Sequence, residues 1–252
     1  MAANITEYVH SCVSDYEKFV GIEGFPAFSV KSKEITLEKS LQTGYDVPAA
    51  VFYDIPTGKH FLEIWSQLYL PQMNADYLVF HEFTHIWDAE TFSQKDKVKH
   101  MSNKGYTEYH AAQIEFMKLL GTKNIMEPFS FSMNQKVETF GGTKTAKDFV
   151  DMPISLATDL VNRKDFPVNI EVLSTAIGAI FNYYGRRSIC KMYAADFEDN
   201  VDTSVIASFL GVDTIMGLDA FMLDWFDARK VSLLDAFYGK MVLVLVQRNK
   251  LS

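Results

Sequence analysis

His81-Glu82-Phe83-Thr84-His85 holds the residues of this chain best suited to chemistry. On a helix, histidines at i and i+4 project from one face, about 6 Å apart along the axis. Both imidazoles can then lean onto one tetrahedral zinc ion, with bonds of about 2.0–2.1 Å. Glu82, one residue on, is rotated off that line. There it serves better as a base for a zinc-bound water than as a ligand. The five residues therefore offer two ligands and a general base.

The flanking sequence supplies the helix. Asn74 reads as its N-cap, and Asp76 puts negative charge in the first turn. Tyr77, Leu78, Phe80, Thr84 and Trp87 make the helix apolar nearly all round, as expected of a buried element. Asp88 shares the histidine face but lies about 10.5 Å along the axis from His81. A straight helix cannot bring both to one ion, so Asp88 is expected to support a ligand, cap the helix or face solvent.

Catalytic zinc sites usually take three protein ligands. The segment from Tyr106 to Phe116 reads as a second helix, on which Glu108, Ala111, Ala112 and Glu115 form one stripe. Two alanines keep that stripe thin, so it can press closely on a neighbouring helix. Glu108 and Glu115 are about 10.5 Å apart along the axis, so only one reaches the ion. Glu108 is the preferred third ligand, Glu115 the alternate and His110 a distant third.

H-E-x-x-H followed some two dozen residues later by E-x-x-A resembles the gluzincin (Glu-zincin) arrangement, and within it the ImmA/IrrE-like metallopeptidases. The resemblance covers about residues 1–120, and its two motifs are the specific part. It implies His81, His85 and Glu108 as zinc ligands, Glu82 as general base, one Zn2+ per chain and a peptide or protein substrate. There are departures. Ile114-Glu115 and Leu119-Leu120-Gly121 stand where that pattern often continues as Phe-Ala and Leu-Leu-x-Pro, and the C-terminal half carries no motif of the group.

Hydrolysis of an amide builds charge on the former carbonyl oxygen, which Tyr, His, Asn or Arg can stabilise. Tyr106 and Tyr109 flank the ligand helix. Asn182, Tyr183, Tyr184, Arg186 and Arg187 form the densest later cluster of such groups. Core tyrosines and a solvated arginine pair are the competing reading.

Composition sets outer limits. A 48% hydrophobic content suits a globular chain with a real core. The net charge of −8 argues against broad binding to nucleic acid or anionic membrane. Cys12 and Cys190 make no disulfide framework and read as small buried side chains. Glu7, Asp15, Glu17 and Lys18 interrupt any signal-peptide core, and no apolar run is long enough to span a bilayer. A cytoplasmic location is the expectation.

The expected fold is α+β. Residues 1–125 would form a minimal zincin-like core: an amphipathic N-terminal helix, a small antiparallel or mixed sheet, the H-E-x-x-H helix and the Glu-ligand helix. Residues 126–252 would be mainly helical and wall the cleft. A strand at 27–31, a helix at 35–42 and a hairpin of 49–53 with 60–65 around Pro56-Thr57-Gly58-Lys59 precede the metal helix. A hairpin through Phe129 to Phe140, a helix opening at Met152-Pro153, and helices at 170–193, 205–210, 214–226 and 233–246 follow it. A zinc peptidase is the leading function. A protein-binding module with structural or vestigial zinc, and a zinc hydrolase of another substrate, are the alternatives.

Overall fold

A computed structural model describes residues 4–34, 47–219, 236–243 and 246–247. The expected helix at 35–42 lies outside these residues, as do the ends of those expected at 214–226 and 233–246. The described part is α+β, with a three-stranded mixed sheet, a two-stranded sheet and nine named helices.

The N-terminal helix is two helices. α1 (Ile5–Ser11) is capped by the Asn4 side chain on the Glu7 amide. α2 (Val13–Val20) ends at Gly21, whose φ of 73° is a left-handed C-cap that glycine adopts without a Cβ penalty. Ile5, Val9, Tyr16, Phe19 and Val20 bury the apolar stripe of the pair.

β1 (Phe28–Lys33), β2 (Ala49–Asp54) and β3 (Lys59–Trp65) assemble in the order β1-β3-β2. β2 and β3 form the expected hairpin, with Val51 opposite Leu62 and Asp54 opposite Lys59. β1 pairs with β3 in parallel, so β3 is central. Alternation along β3 buries His60, Leu62 and Ile64 and leaves Phe61 exposed. β2 pairs with β3 alone among the described residues and forms one edge.

α3 (Asp76–Asp88) is the motif helix. Its N-cap position is Ala75, not Asn74. Asn74 adopts a left-handed conformation (φ 42°), and its amide nitrogen donates to the Glu138 carbonyl at 2.6 Å. Asp76 does lie in the first turn and accepts from the Tyr8 hydroxyl at 2.5 Å. Phe80 and Phe83 anchor the back of α3 by edge contacts with Tyr16 at 5.3 and 5.5 Å between ring centres. Thr84 gives its own proton to the Phe80 carbonyl, so the Tyr16 hydroxyl donates to Thr84, at 3.0 Å.

A π-turn at Ala89–Ser93 closes α3 and reverses the chain through left-handed Gln94 and Lys95. α4 (Lys97–Ser102), capped by Asp96, leads into α5 (Lys104–Leu119), which returns along α3 and also packs against α7. Pairings of His81 with Glu115 and His85 with Thr107 show that α3 and α5 run in opposite directions.

The second hairpin is β4 (Lys136–Thr139) and β5 (Gly142–Thr145), turning at Phe140-Gly141 rather than ending there. α6 (Ala146–Val161) starts seven residues before Pro153 and carries that proline inside it. Its start is set by a capping box in which Thr145 and Asp148 satisfy each other's amides. α7 (Ile170–Tyr193) matches its expected span, and α8 (Ser204–Leu210) and α9 (Val212–Asp219) follow. One buried cluster draws on α1 to α3, the sheet, α5, α6 and α7, so a single hydrophobic core runs through both halves of the chain.

Candidate metal centre

His81 and His85 leave α3 on the side facing α5 and α7, where the sequence changes from phenylalanine to imidazole. Their Nε2 atoms are 3.1 Å apart. Glu108, on the first turns of α5, brings one carboxylate oxygen to 3.9 Å from each of them. The point equidistant from these three atoms lies about 2.1 Å from each, which is the length of a zinc–imidazole or zinc–carboxylate bond. Among the described residues this is the one group of three His, Cys, Asp or Glu side chains able to share an ion. The donor set, two nitrogens and one hard oxygen, suits zinc.

Of the other ring nitrogens, that of His85 has a hydrogen-bond partner and the buried one of His81 has none among the described residues. Thr107 places its hydroxyl 2.8 Å from His85 Nδ1. Glu115 places Oε2 3.6 Å from His81 Nδ1, an ion-pair distance longer than a hydrogen bond. Glu115 is buried and therefore flanks the site behind His81 instead of joining Glu108 at the Nε2 atoms. The Arg186 guanidinium holds it there, with Nε and Nη2 donating to Oε2 at 3.2 and 2.8 Å.

Charges around the pair separate the two histidines. Burial disfavours an imidazolium at His81, but the Glu115, Glu82 and Glu108 carboxylates outweigh it and hold the ring at about 9. Burial, and then the His81 charge, push His85 well below the usual imidazole range. The metal-free pair thus keeps one proton, and a bound cation would displace it. Burial lifts the Glu82 carboxyl to about 7, with Glu108 and Glu115 adding to the rise and His81 and Lys33 opposing it. Such a carboxylate can accept and return a proton near neutrality.

These groups open onto a cleft of about 960 Å³. Glu82, His81 and His85 lie along it, β2 from Ala49 to Tyr53 forms one side, and the Gly178, Asn182 and Arg186 positions of α7 form the other. Met152, Pro153 and Leu156 of α6 complete that second wall.

Comparison with protein-family models, curated proteins and solved structures returns no match. The chemistry of the side chains has to carry the functional reading.

The remaining candidates are placed as follows. Tyr106, Tyr109, Tyr183 and Tyr184 are buried in the core and do not line the cleft. Among the proposed oxyanion donors, Asn182 and Arg186 reach it. Arg187 turns away to Asp199. His110 is buried with Asp88, whose two oxygens both lie 3.0 Å from His110 Nδ1. That pair clamps α3 to α5 one turn beyond the ligands. Sequence reasoning missed Thr107, although a threonine beside the favoured ligand Glu108 was a readable signal. Among the described residues, no helix is long and apolar enough to cross a membrane.

Proposed function

We propose that this chain is a zinc-dependent hydrolase that cleaves peptide bonds, with His81, His85 and Glu108 holding the ion and Glu82 moving the proton. The observation that carries this reading is the convergence of two Nε2 atoms and one carboxylate oxygen at metal-bond distance from a common point, beside a buried glutamate. Zinc bound there would polarise the scissile carbonyl and activate a water.

The protein groups do the rest. Glu82 accepts the water proton on its carboxylate and returns it to the leaving amine. Thr107 holds the outer nitrogen of the His85 ring, and the Glu115 carboxylate faces that of His81 at 3.6 Å, which favours Nε2 lone pairs turned inward. α6 and α7 flank the reacting bond with Met152, Pro153 and Leu156 on one helix and Gly178 and Asn182 on the other. β2, an edge strand among the described residues, runs along the cleft, so backbone pairing with an extended substrate would orient the peptide before its side chains are read.

The test is metal content together with one variant. Protein purified without chelators should carry about one zinc per chain. Glu82→Gln should keep that zinc and lose peptide hydrolysis by at least about 10³-fold, the scale of a positioned acid–base group together with its water. Protein that takes up no added zinc, or a Glu82→Gln variant as active as wild type, would overturn the reading.

A further inference from the structure

We infer that Arg186 is a positioning residue of the metal centre, holding the Glu115 carboxylate against His81 and thereby setting the affinity for zinc. This rests on the zinc reading above. Arg186 and Arg187 are adjacent on α7, yet they are used differently. Both are buried, but Arg187 pairs with the half-exposed Asp199, whereas Arg186 points to Glu115 on α5. Its guanidinium is held by two helices. Two nitrogens donate to Glu115 Oε2, Nη1 donates to the Phe149 carbonyl at 2.6 Å, and the plane lies 3.8 Å from the centre of the Phe149 ring. The arginine thus spans α5, α6 and α7 and directs two of its nitrogens to one oxygen of Glu115.

That oxygen is the one facing His81 Nδ1 at 3.6 Å. A carboxylate on the outer nitrogen of a ligand imidazole keeps the proton on that nitrogen and leaves the inner lone pair for the metal. A buried carboxylate with no cation beside it would be costly and free to swing away. Arg186 removes both problems. As a device for stability alone the pair would be a poor choice, since apolar residues of similar volume are often as good or better in such positions. Its place behind a metal ligand gives it a use that packing does not.

The experiment measures zinc affinity by chelator competition on the full chain, with thermal unfolding alongside. Wild type should bind zinc. Glu115→Gln and Arg186→Met should each weaken that binding about 10- to 100-fold. Arg186→Lys should recover part of it, because an ammonium supplies the charge without the planar fork. The double variant Glu115→Leu with Arg186→Met removes both buried charges and should fold about as stably as wild type, yet still bind zinc weakly. Unchanged affinity in either single variant, or a double variant that regains affinity along with stability, would overturn the inference while leaving the zinc site standing. A wild-type protein that takes up no zinc overturns the zinc reading itself, and this inference with it.

Discussion

Gly185 of α7 lies so close to Tyr109 of α5 that a Cβ on the glycine would sit 2.2 Å from the Tyr109 carbonyl oxygen and 3.0 Å from Ala112 Cβ. The obstacle is backbone, which cannot rotate away. Gly185→Ala should force α5 and α7 apart and cost about 2–3 kcal/mol, the range for overpacking a close contact. Because Thr107 and Glu108 ride on α5, zinc affinity should fall as well. Thermal unfolding and a zinc titration check both, and an unshifted transition would show that the helices separate freely.

Thr107→Val preserves shape and removes only the hydroxyl 2.8 Å from His85 Nδ1. Zinc binding should weaken about tenfold, at the low end for an outer partner of a ligand histidine. Peptide hydrolysis at saturating zinc should change much less. A variant with wild-type zinc affinity would remove Thr107 from the site.

Asp88→Ala breaks a fully buried pair and removes the carboxylate from His110 Nδ1, so the fold should lose about 2–4 kcal/mol. Zinc stoichiometry in the folded protein should stay at one, because Asp88 belongs to the clamp and not to the ligand set. Loss of metal from a still-folded variant would contradict that division.

Acid sensitivity is expected at His100, which lines the same cleft as the motif histidines. Burial, followed by the Lys104 and His60 charges, depresses His100 from 6.5 to about 4, and burial also lowers His60. The Tyr53 ring and the Ser93 hydroxyl face His100 as well. Both imidazoles therefore bind protons more readily when unfolded. The His100 contribution is complete above the unfolded value of 6.5 and is lost as pH falls toward the folded value of about 4, and that of His60 is lost in the same direction. For half-buried His100 the loss should be on the order of 1 kcal/mol after solvent screening. Stability measured from pH 7 to pH 4 should decline less steeply in His100→Gln; an identical slope would assign the acid loss elsewhere.

Local patterns were legible and long-range pairings were not. The motif helix, the hairpin around Gly58 and the span of α7 follow from periodicity and turn residues within a dozen positions. The stripe with Glu108 and Ala112 was readable as a closely packing face, and Ala112 does press on Gly185. Asn74 looked like a cap because its residue type favours one, but the Glu138 carbonyl, 64 positions away, claimed its side chain. Pro153 looked like a helix start, while the capping box at Thr145 and Asp148 had already begun that helix. Arg186 looked like solvated surface because its partner lies 71 residues earlier on another helix. The four tyrosines were grouped by chemistry, and burial then took all of them into the core.

Helix α5 carries Glu108 of the candidate metal site and packs along α7, whose Gly178 lies beside that glutamate. A cation that binds only the native arrangement adds RT ln(1 + [L]/Kd) to its stability, about 4 kcal/mol at a thousandfold excess over Kd. Because α5 is a shared wall of one continuous core, that gain is not confined to the motif. Stripping the ion should lower the unfolding temperature of the whole chain in a single transition. Damage far out on α7 should in turn appear as leakage of zinc. Metal supply and chain integrity would then be read by the same equilibrium.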